Sequence, residues 1–490
     1  MAGLKSLAKE TFIYGASSIV GRFLNYLLVP LYTIKLQADT GGYGVITNLY
    51  AFTALLLVIL TYGMETGYFR FANRKEEKAD TVYATTLCSV GFTSLLFVAL
   101  VALFLPSICH LLRYDAHPEF IMMMAFVVAM DAFQSIPFAR LRQQKRAMLF
   151  VGIKFLFIFP NILLNLFFYL GCPWLMEHAP STVSWFYNPD YGAGYAFVAN
   201  LICTSLQMIA LIPQLRGFQW RFDGQLLRRM LHYSLPLLIL GIAGILNQTA
   251  DKILYPFLVD DPQEAKVQLG IYGAASKIAM LLAMMTQAFR YAYEPFVFTN
   301  QRDGDKRPMY ARAMKFFVIF GLLAFLGVMF YLDLLKYLIG PGYWEGLRVV
   351  PIVMAAELLM GVYFNLSFWY KLSDQTRWGA YFSITGCAIV ILLNVLFVPT
   401  YGYMACAWAG LAGYGAAALL SYLVGQRRYP IAYDIRGIMR YVFLAAALYI
   451  AAEYLPIEQL WLSLIYKTFL LALYALYVYQ REFAHPAKPA

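Results

Sequence analysis

Charged residues are scarce in this chain of 490 residues: Asp, Glu, Lys and Arg make up 13% of it, and histidine occurs five times. Soluble proteins average about 25% charged residues. Hydrophobic residues instead make up 61% of the chain and aromatic residues 17%. The composition excludes an ordinary soluble protein and indicates an integral membrane protein with tyrosine and tryptophan at both interfaces.

Cysteine motifs and polar domains are also lacking. The six cysteines form no C-x-x-C pair and four lie inside apolar segments, so the sequence predicts neither a disulfide framework nor a metal site. The longest connections, 172–191 and 214–232, are too short to fold alone. The first of them offers only Glu177, His178 and Asp190 as catalytic groups, which argues against a membrane glycosyltransferase or polymerase. We therefore expect a protein that is not an enzyme.

Long apolar runs fill the rest of the chain. A membrane-spanning helix needs about 20 mostly apolar residues. This rule predicts an all-α polytopic fold with about fourteen spans, at 11–35, 43–66, 81–105, 119–139, 148–171, 192–213, 233–259, 269–292, 310–333, 346–369, 378–399, 402–424, 438–455 and 459–480.

The loops between these spans alternate in charge. Every second connection is rich in Lys and Arg, while the others carry acids such as Asp260, Asp261 and Glu264. The positive-inside rule then places both termini in the cytoplasm. It also accounts for the net charge of +11, so we expect no nucleic-acid partner.

The chain also contains a trace of internal duplication. At one constant offset, Tyr43-Gly44 aligns with Tyr272-Gly273, Glu65 with Glu294, and Arg22 with Asp251. We predict two pseudo-symmetric six-helix lobes, at residues 1–213 and 233–424, joined by a cytoplasmic linker at residues 214–232. Two additional helices follow at residues 425–490. Duplication with ionisable groups at its seam is typical of transporters.

Ionisable groups inside the predicted spans are the candidate functional residues, because charge in a membrane is costly and faces a protein interior or cavity. The fifth span carries Lys154, Asn161 and Asn165 on one helical face. The other groups are Arg22, Glu65, Asp131, Asp251, Lys252, Lys277, Arg290, Glu294, Glu357 and Lys467. The alternative is that opposite charges pair and merely hold helices together, as Asp251 and Lys252 would.

Several motifs resemble one family of membrane proteins. The segment from Ala8 to Tyr32, with Gly15, Arg22 and Pro30, resembles the first helix of bacterial polysaccharide flippases. Gly42-Tyr43-Gly44-Val45, Asn247-Gln-Thr-Ala-Asp251-Lys252 and Gln287-Ala-Phe-Arg290-Tyr-Ala-Tyr-Glu294 are similar to later helices of that family. Their order and spacing identify a resemblance to the multidrug/oligosaccharidyl-lipid/polysaccharide (MOP) exporter superfamily.

This resemblance implies a transporter in the bacterial cytoplasmic membrane that flips a polyprenyl-pyrophosphate-linked oligosaccharide, such as an O-antigen or capsule repeat unit, by alternating access. The implied partners are this substrate, membrane lipids, a polysaccharide polymerase and glycosyltransferases. We expect the substrate to be bound by Arg22, Asn25, Lys154, Asn161, Lys277 and Arg290. No cofactor is expected, but Glu65, Asp251 and Glu294 are candidates for a coupling Na⁺ or H⁺.

Two other activities of the same architecture stay open. A cation-coupled multidrug antiporter would be expected to centre on acids in the first span, whereas this span carries Arg22 and no acid beyond Glu10. A flippase for the peptidoglycan lipid precursor is compatible with fourteen spans.

Overall fold

The computed structural model describes residues 20–21, 23–74, 76–299, 307–373, 375–455, 457 and 459–484. Between residues 291 and 299 it describes the backbone and the side chain of Tyr293. The prediction of an all-α polytopic protein is confirmed. Thirteen helices of the described chain are long and apolar enough to cross a membrane, and they match the second to fourteenth predicted spans. Of the first span, the described part contains α1, Leu28–Lys35.

The helices of the first half cover the predicted spans, but those of the seventh and eighth spans begin nine and seven residues before the predicted limits. They are α2 (Gly42–Thr61), α3 (Met64–Ala72), α4 (Ala79–Leu103), α5 (Leu105–Leu112), α6 (Pro118–Gln143), α7 (Ala147–Leu166), α8 (Cys172–His178), α9 (Pro180–Val183), α10 (Gly194–Leu211), α11 (Gly224–Leu258) and α12 (Pro262–Thr299). Asp223 caps α11, because its side chain accepts hydrogen bonds from the backbone N–H groups of Gln225 and Leu226.

The helices of the second half follow the same pattern. They are α13 (Arg307–Phe330), α14 (Leu332–Leu335), α15 (Val350–Leu366), α16 (Phe368–Leu372), α17 (Arg377–Tyr401), α18 (Tyr403–Arg428), α19 (Ile435–Tyr454) and α20 (Leu460–Tyr479). A 3₁₀ segment, Pro341–Val349, leads into α15, and a π-helical segment, Gln480–Ala484, follows α20.

The second predicted span contains a break that separates α2 from α3. Tyr62 and Gly63 both adopt left-handed backbone conformations, with φ of 31° and 71°. Glycine tolerates this region, whereas a tyrosine there costs free energy. The Tyr62 hydroxyl is held 2.6 Å from Ser89 Oγ of α4. The break places Glu65 in the first turn of α3, where the positive end of the helix dipole favours a carboxylate.

The chain forms two compact units, residues 1–273 and 274–490. In the first unit, α11 packs against α2, α3 and α4, and α10 packs against α6 and α7. An apolar core that includes Tyr68, Tyr83 and Ile136 lies among these helices. The lobe boundaries expected from the sequence, at residues 213 and 233, stay predictions.

In the second unit, the two C-terminal helices α19 and α20 pack against α13. Lys315 of α13 contacts Glu482 Oε1 at 2.5 Å and Asp434 Oδ2 at 3.2 Å. Lys467 of α20, an intramembrane charge without an evident partner in the sequence, lies 2.8 Å from Asp333 Oδ2. These ion pairs join the C-terminal helices to α13 and α14.

Candidate functional site

Polar side chains meet inside the first unit where α2, α6, α7 and α10 pack together. Asp131 of α6 and Lys154 of α7 are each partly buried there. The carboxylate of Asp131 acts electrostatically on the Lys154 ammonium. The Lys154 Nζ also lies 4.1 Å from the centroid of the Phe138 ring, which adds a cation–π contact.

Glu65 forms an ion pair with Arg142, a partner that sequence reasoning missed. The two side chains are 40% and 33% exposed. Arg142 stands at the end of α6, and its guanidinium lies 5.1 Å from the centroid of Phe69. The sequence places Arg142 among the basic residues of an inner loop. The sequence feature that could have indicated this pairing is the position of Arg142 at the end of an apolar run, two residues after Arg140.

Glu65, Asp131, Arg142 and Lys154 together form what we call the inner charge cluster. Glu65 and Arg142 also act electrostatically on Lys154. Two acids and two bases therefore contribute to this cluster. Lys154 therefore has acidic as well as basic neighbours in the folded chain.

The asparagines on the predicted polar face of the fifth span form hydrogen bonds with each other and with α1. Asn161 and Asn165 are both buried. Asn165 Nδ2 donates to the Asn161 carbonyl oxygen at 2.7 Å, and Tyr32 of α1 donates its hydroxyl to Asn165 Oδ1 at 2.8 Å. Asn25, the other predicted amide, is exposed in the first predicted span. The polar face of α7 thus continues onto α1.

A second group of polar residues in this interior was missed by the sequence reasoning. Asn200 of α10 donates Nδ2 to the Tyr50 hydroxyl of α2 at 2.9 Å, and Thr204 donates Oγ1 to Asn200 Oδ1 at 3.2 Å. Gln134, beside Asp131 on α6, donates Nε2 to the Thr204 carbonyl oxygen at 3.0 Å. Single polar residues within apolar runs were the only signal for this network.

Asp251 lies in a separate network on α11 and α12. Its carboxylate is 2.9 Å from Lys252 Nζ and accepts a 2.6 Å hydrogen bond from the Tyr272 hydroxyl. Asn48 of α2 donates Nδ2 to the Lys252 carbonyl oxygen at 2.7 Å. This is the geometry of a buried ion pair, one of the two alternatives that the sequence left open for Asp251.

The remaining predicted site residues are spread over α12 and the first span. In the second unit, Lys277 is partly buried and Arg290 is exposed, with its guanidinium 4.8 Å from the centroid of Phe364. Arg22 and the side chain of Glu294 lie outside the described residues. Within the described chain, no group of three or more His, Cys, Asp or Glu side chains is placed to hold a metal ion.

Known structures share this fold at low sequence identity. A lipid II flippase MurJ in an inward closed conformation superposes with a TM-score of 0.75 at 13% identity, over 96% of this chain and 99% of that one. An inward-facing multidrug resistance MATE family transporter of the MOP superfamily superposes with a TM-score of 0.65 at 14% identity, over 83% of this chain and 94% of that one. The MATE multidrug transporter DinF-BH superposes with a TM-score of 0.59 at 14% identity, over 86% of this chain and 96% of that one.

The amino-acid sequence itself matches one family. No curated protein matches the chain in a sequence search. The family model described as polysaccharide biosynthesis protein matches residues 7–292, more than half of the chain. The chain therefore belongs to the polysaccharide biosynthesis protein family, and it is a multi-pass membrane protein that shares its fold with MurJ and MATE transporters.

Proposed function

We propose that this protein flips a polyprenyl-pyrophosphate-linked oligosaccharide from the cytoplasmic to the outer leaflet by alternating access. The observation that carries the proposal is the hydrogen-bonded polar interior of the first unit, in a chain of the polysaccharide biosynthesis protein family. We place it in a bacterial cytoplasmic membrane, with both termini inside, where a polymerase and glycosyltransferases would make and use the same repeat unit.

Sugar hydroxyls explain why such an interior is needed. A hydroxyl moved from water into hydrocarbon without a hydrogen-bond partner costs about 2–7 kcal/mol. Tyr50, Asn200, Asn161 and Asn165 offer hydroxyl and amide groups at membrane depth. Sugar hydroxyls can exchange hydrogen bonds with these groups, while the polyprenyl tail remains in lipid.

The pyrophosphate requires basic groups. Arg22, Lys154, Lys277 and Arg290 are the proposed contacts, because guanidinium and ammonium groups form charge-assisted hydrogen bonds with phosphate oxygens. Asp131 faces Lys154 and weakens its hold on an anion. Transport needs such a balance, since the substrate must be released on the other side.

A coupling cation is proposed at one of the acids Glu65, Asp251 and Glu294. Glu65 and Asp251 already have basic partners in Arg142 and Lys252. Na⁺ or H⁺ would therefore replace an ion pair at either acid, and this exchange would link cation binding to a rearrangement of the helices.

The decisive experiment compares Lys154→Gln with Lys145→Gln in proteoliposomes that contain a fluorescent polyprenyl-pyrophosphate oligosaccharide. Both substitutions remove one lysine charge, but Lys145 is exposed in the turn after α6. We expect the initial translocation rate to fall at least about tenfold in Lys154→Gln, the effect of losing about 1.4 kcal/mol of binding. Lys145→Gln should keep the parent rate.

The same preparation tests the other transport activities. A cationic dye and the peptidoglycan lipid precursor are offered as counter-substrates to the parent protein. Export of the dye without movement of the lipid-linked oligosaccharide would overturn the proposal in favour of multidrug transport. Movement of the peptidoglycan precursor alone would assign the protein to that substrate.

A further inference from the structure

Three arginines from separate segments meet in a pocket at one end of the first unit. Arg140 lies in the last turn of α6, Arg146 precedes α7, and Arg216 follows the 3₁₀ segment Ile212–Leu215. The pocket has a volume of about 390 Å³. It is lined by Arg140, Gln144, Arg146, Leu149, Pro213 and Arg216, among others. Among the residues that the structure describes, no acidic one contributes to its lining.

Arg140 is the fixed member of the three. It is 8% exposed, and its Nη1 donates to the Gln214 carbonyl oxygen at 2.8 Å. Its guanidinium lies 4.4 Å from the ring centroid of Tyr83 and 4.9 Å from that of Phe218. The nearest recorded carboxylate oxygen, from Asp80, is 3.9 Å away. Arg140 thus contributes to the pocket a buried guanidinium that a backbone hydrogen bond and two aromatic rings contact.

The other two arginines are exposed at the rim. In the described part of the chain, no ion pair is recorded for Arg146 or Arg216. Positive charge therefore exceeds negative charge around this opening. Arginine is well suited to phosphate oxygens, because its planar N–H groups bind two of them at once.

The N-terminus of α7 adds hydrogen-bond donors to the same place. Arg146 is the residue that precedes the first turn, and no side chain caps this helix. The N–H groups of a first turn have no partner within the helix and carry the positive end of its dipole. An anion beside Arg146 would therefore meet backbone donors as well as guanidinium groups.

Exposed apolar residues adjoin the arginines of the pocket. Leu149 of α7 belongs to the lining. Met148, at the start of α7, is 74% exposed, and Ile209, at the end of α10, is 61% exposed. In a membrane protein, such exposed apolar side chains contact acyl chains. A ligand of this pocket would thus have its phosphate among the arginines and its hydrocarbon along α7 and α10.

We propose that this pocket binds the phosphate headgroup of an anionic phospholipid. The predicted orientation of the loops puts it in the cytoplasmic leaflet, where juxtamembrane basic residues attract anionic lipids. This binding does not depend on which substrate is transported. The headgroup would join the ends of α6 and α7 to the segment after α10, through charge-assisted hydrogen bonds to all three arginines.

Native mass spectrometry of the purified full-length protein, titrated with phosphatidylglycerol, tests this site. The double variant Arg146→Gln/Arg216→Gln should bind phosphatidylglycerol roughly 25-fold more weakly, since each basic residue near an anionic lipid contributes roughly fivefold. The control Arg228→Gln/Arg427→Gln removes the same charge from two exposed arginines outside the pocket. It should retain the parent affinity.

Two further measurements complete the test. Thermal unfolding in phosphatidylcholine alone should give the parent midpoint for both double variants, which shows that they are folded. Inorganic phosphate and phosphatidylcholine should each bind far more weakly than phosphatidylglycerol. The proposal would be overturned if both double variants lost the same affinity for phosphatidylglycerol. It would also be overturned if inorganic phosphate bound as tightly as phosphatidylglycerol.

Discussion

Gly44 lies against the backbone of Lys266. A Cβ atom on Gly44 would overlap the Lys266 carbonyl group, whose carbon would be 2.7 Å away. Gly273 has a similar contact, because a Cβ there would be 2.5 Å from Thr47 Oγ1. The two Tyr-Gly pairs that align in the internal duplication, Tyr43-Gly44 and Tyr272-Gly273, thus both mark places where α2 and α12 approach too closely for a side chain.

Substitution of Gly44 by alanine should therefore destabilise the protein. Overpacking of this kind costs about 1–3 kcal/mol, and here the obstacle is backbone that cannot change rotamer. Gly152→Ala is the matched control, since a Cβ at Gly152 of α7 meets no atom within 4 Å. Alanine there should stabilise the helix by about 0.5–1 kcal/mol. Thermal unfolding in detergent measures the stability of both variants. An unfolding midpoint of Gly44→Ala at or above the parent value would contradict the close approach of Gly44 to Lys266.

The Glu65–Arg142 ion pair predicts a charge-reversal rescue. Glu65→Arg and Arg142→Glu should each slow oligosaccharide translocation and lower the free energy of unfolding by about 1–3 kcal/mol, because one partly buried charge loses its partner. The double variant should recover part of both losses. A double-mutant cycle on thermal stability gives the coupling energy, expected at about 0.5–3 kcal/mol. Strictly additive effects would show that the two side chains act independently.

The Tyr272 hydroxyl is expected to stabilise the protein through Asp251. Tyr272→Phe removes a 2.6 Å hydrogen bond to a buried carboxylate, and such bonds to charged groups contribute about 1.5–3 kcal/mol. Tyr337→Phe serves as the control, since Tyr337 is 61% exposed. Chemical denaturation in detergent compares the two variants. Equal midpoints would mean that Asp251 does not depend on Tyr272.

The Asp333–Lys467 ion pair predicts a stability that depends on pH. The hydrogen bond from Lys467 holds the pKa of the Asp333 carboxyl below its ordinary value. A carboxyl with a lowered pKa stabilises the fold fully above its unfolded pKa of about 4, and this contribution disappears as the pH falls through the lowered value. The difference in unfolding midpoint between the parent protein and Lys467→Met should therefore be large at pH 7.

That difference should shrink when the pH is lowered below about 4, because protonated Asp333 no longer attracts Lys467. Arg427→Gln, which removes an exposed charge from the end of α18, controls for general effects of acid on the protein. A midpoint difference that is constant from pH 7 to pH 3 would mean that another contact of Lys467 stabilises the fold.

The sequence alone determined the class of the protein and the position of nearly every described span. Hydrophobic run length is a local property, since a backbone in lipid must satisfy its own hydrogen bonds as a helix about 20 residues long. The polar face of α7 was likewise predictable, because Lys154, Asn161 and Asn165 follow the helical period.

Only the tertiary structure decided which charges meet. Glu65 and Arg142 belong to different helices, as do Asp333 and Lys467, and the rotation of each helix about its axis depends on the packing of all its neighbours. The left-handed break at Tyr62 sets the position of Glu65, and Gly63 alone is too weak a local signal to predict it. A partner across a helix interface is set by packing geometry rather than by local sequence, so the balanced inner charge cluster became visible only in the folded chain.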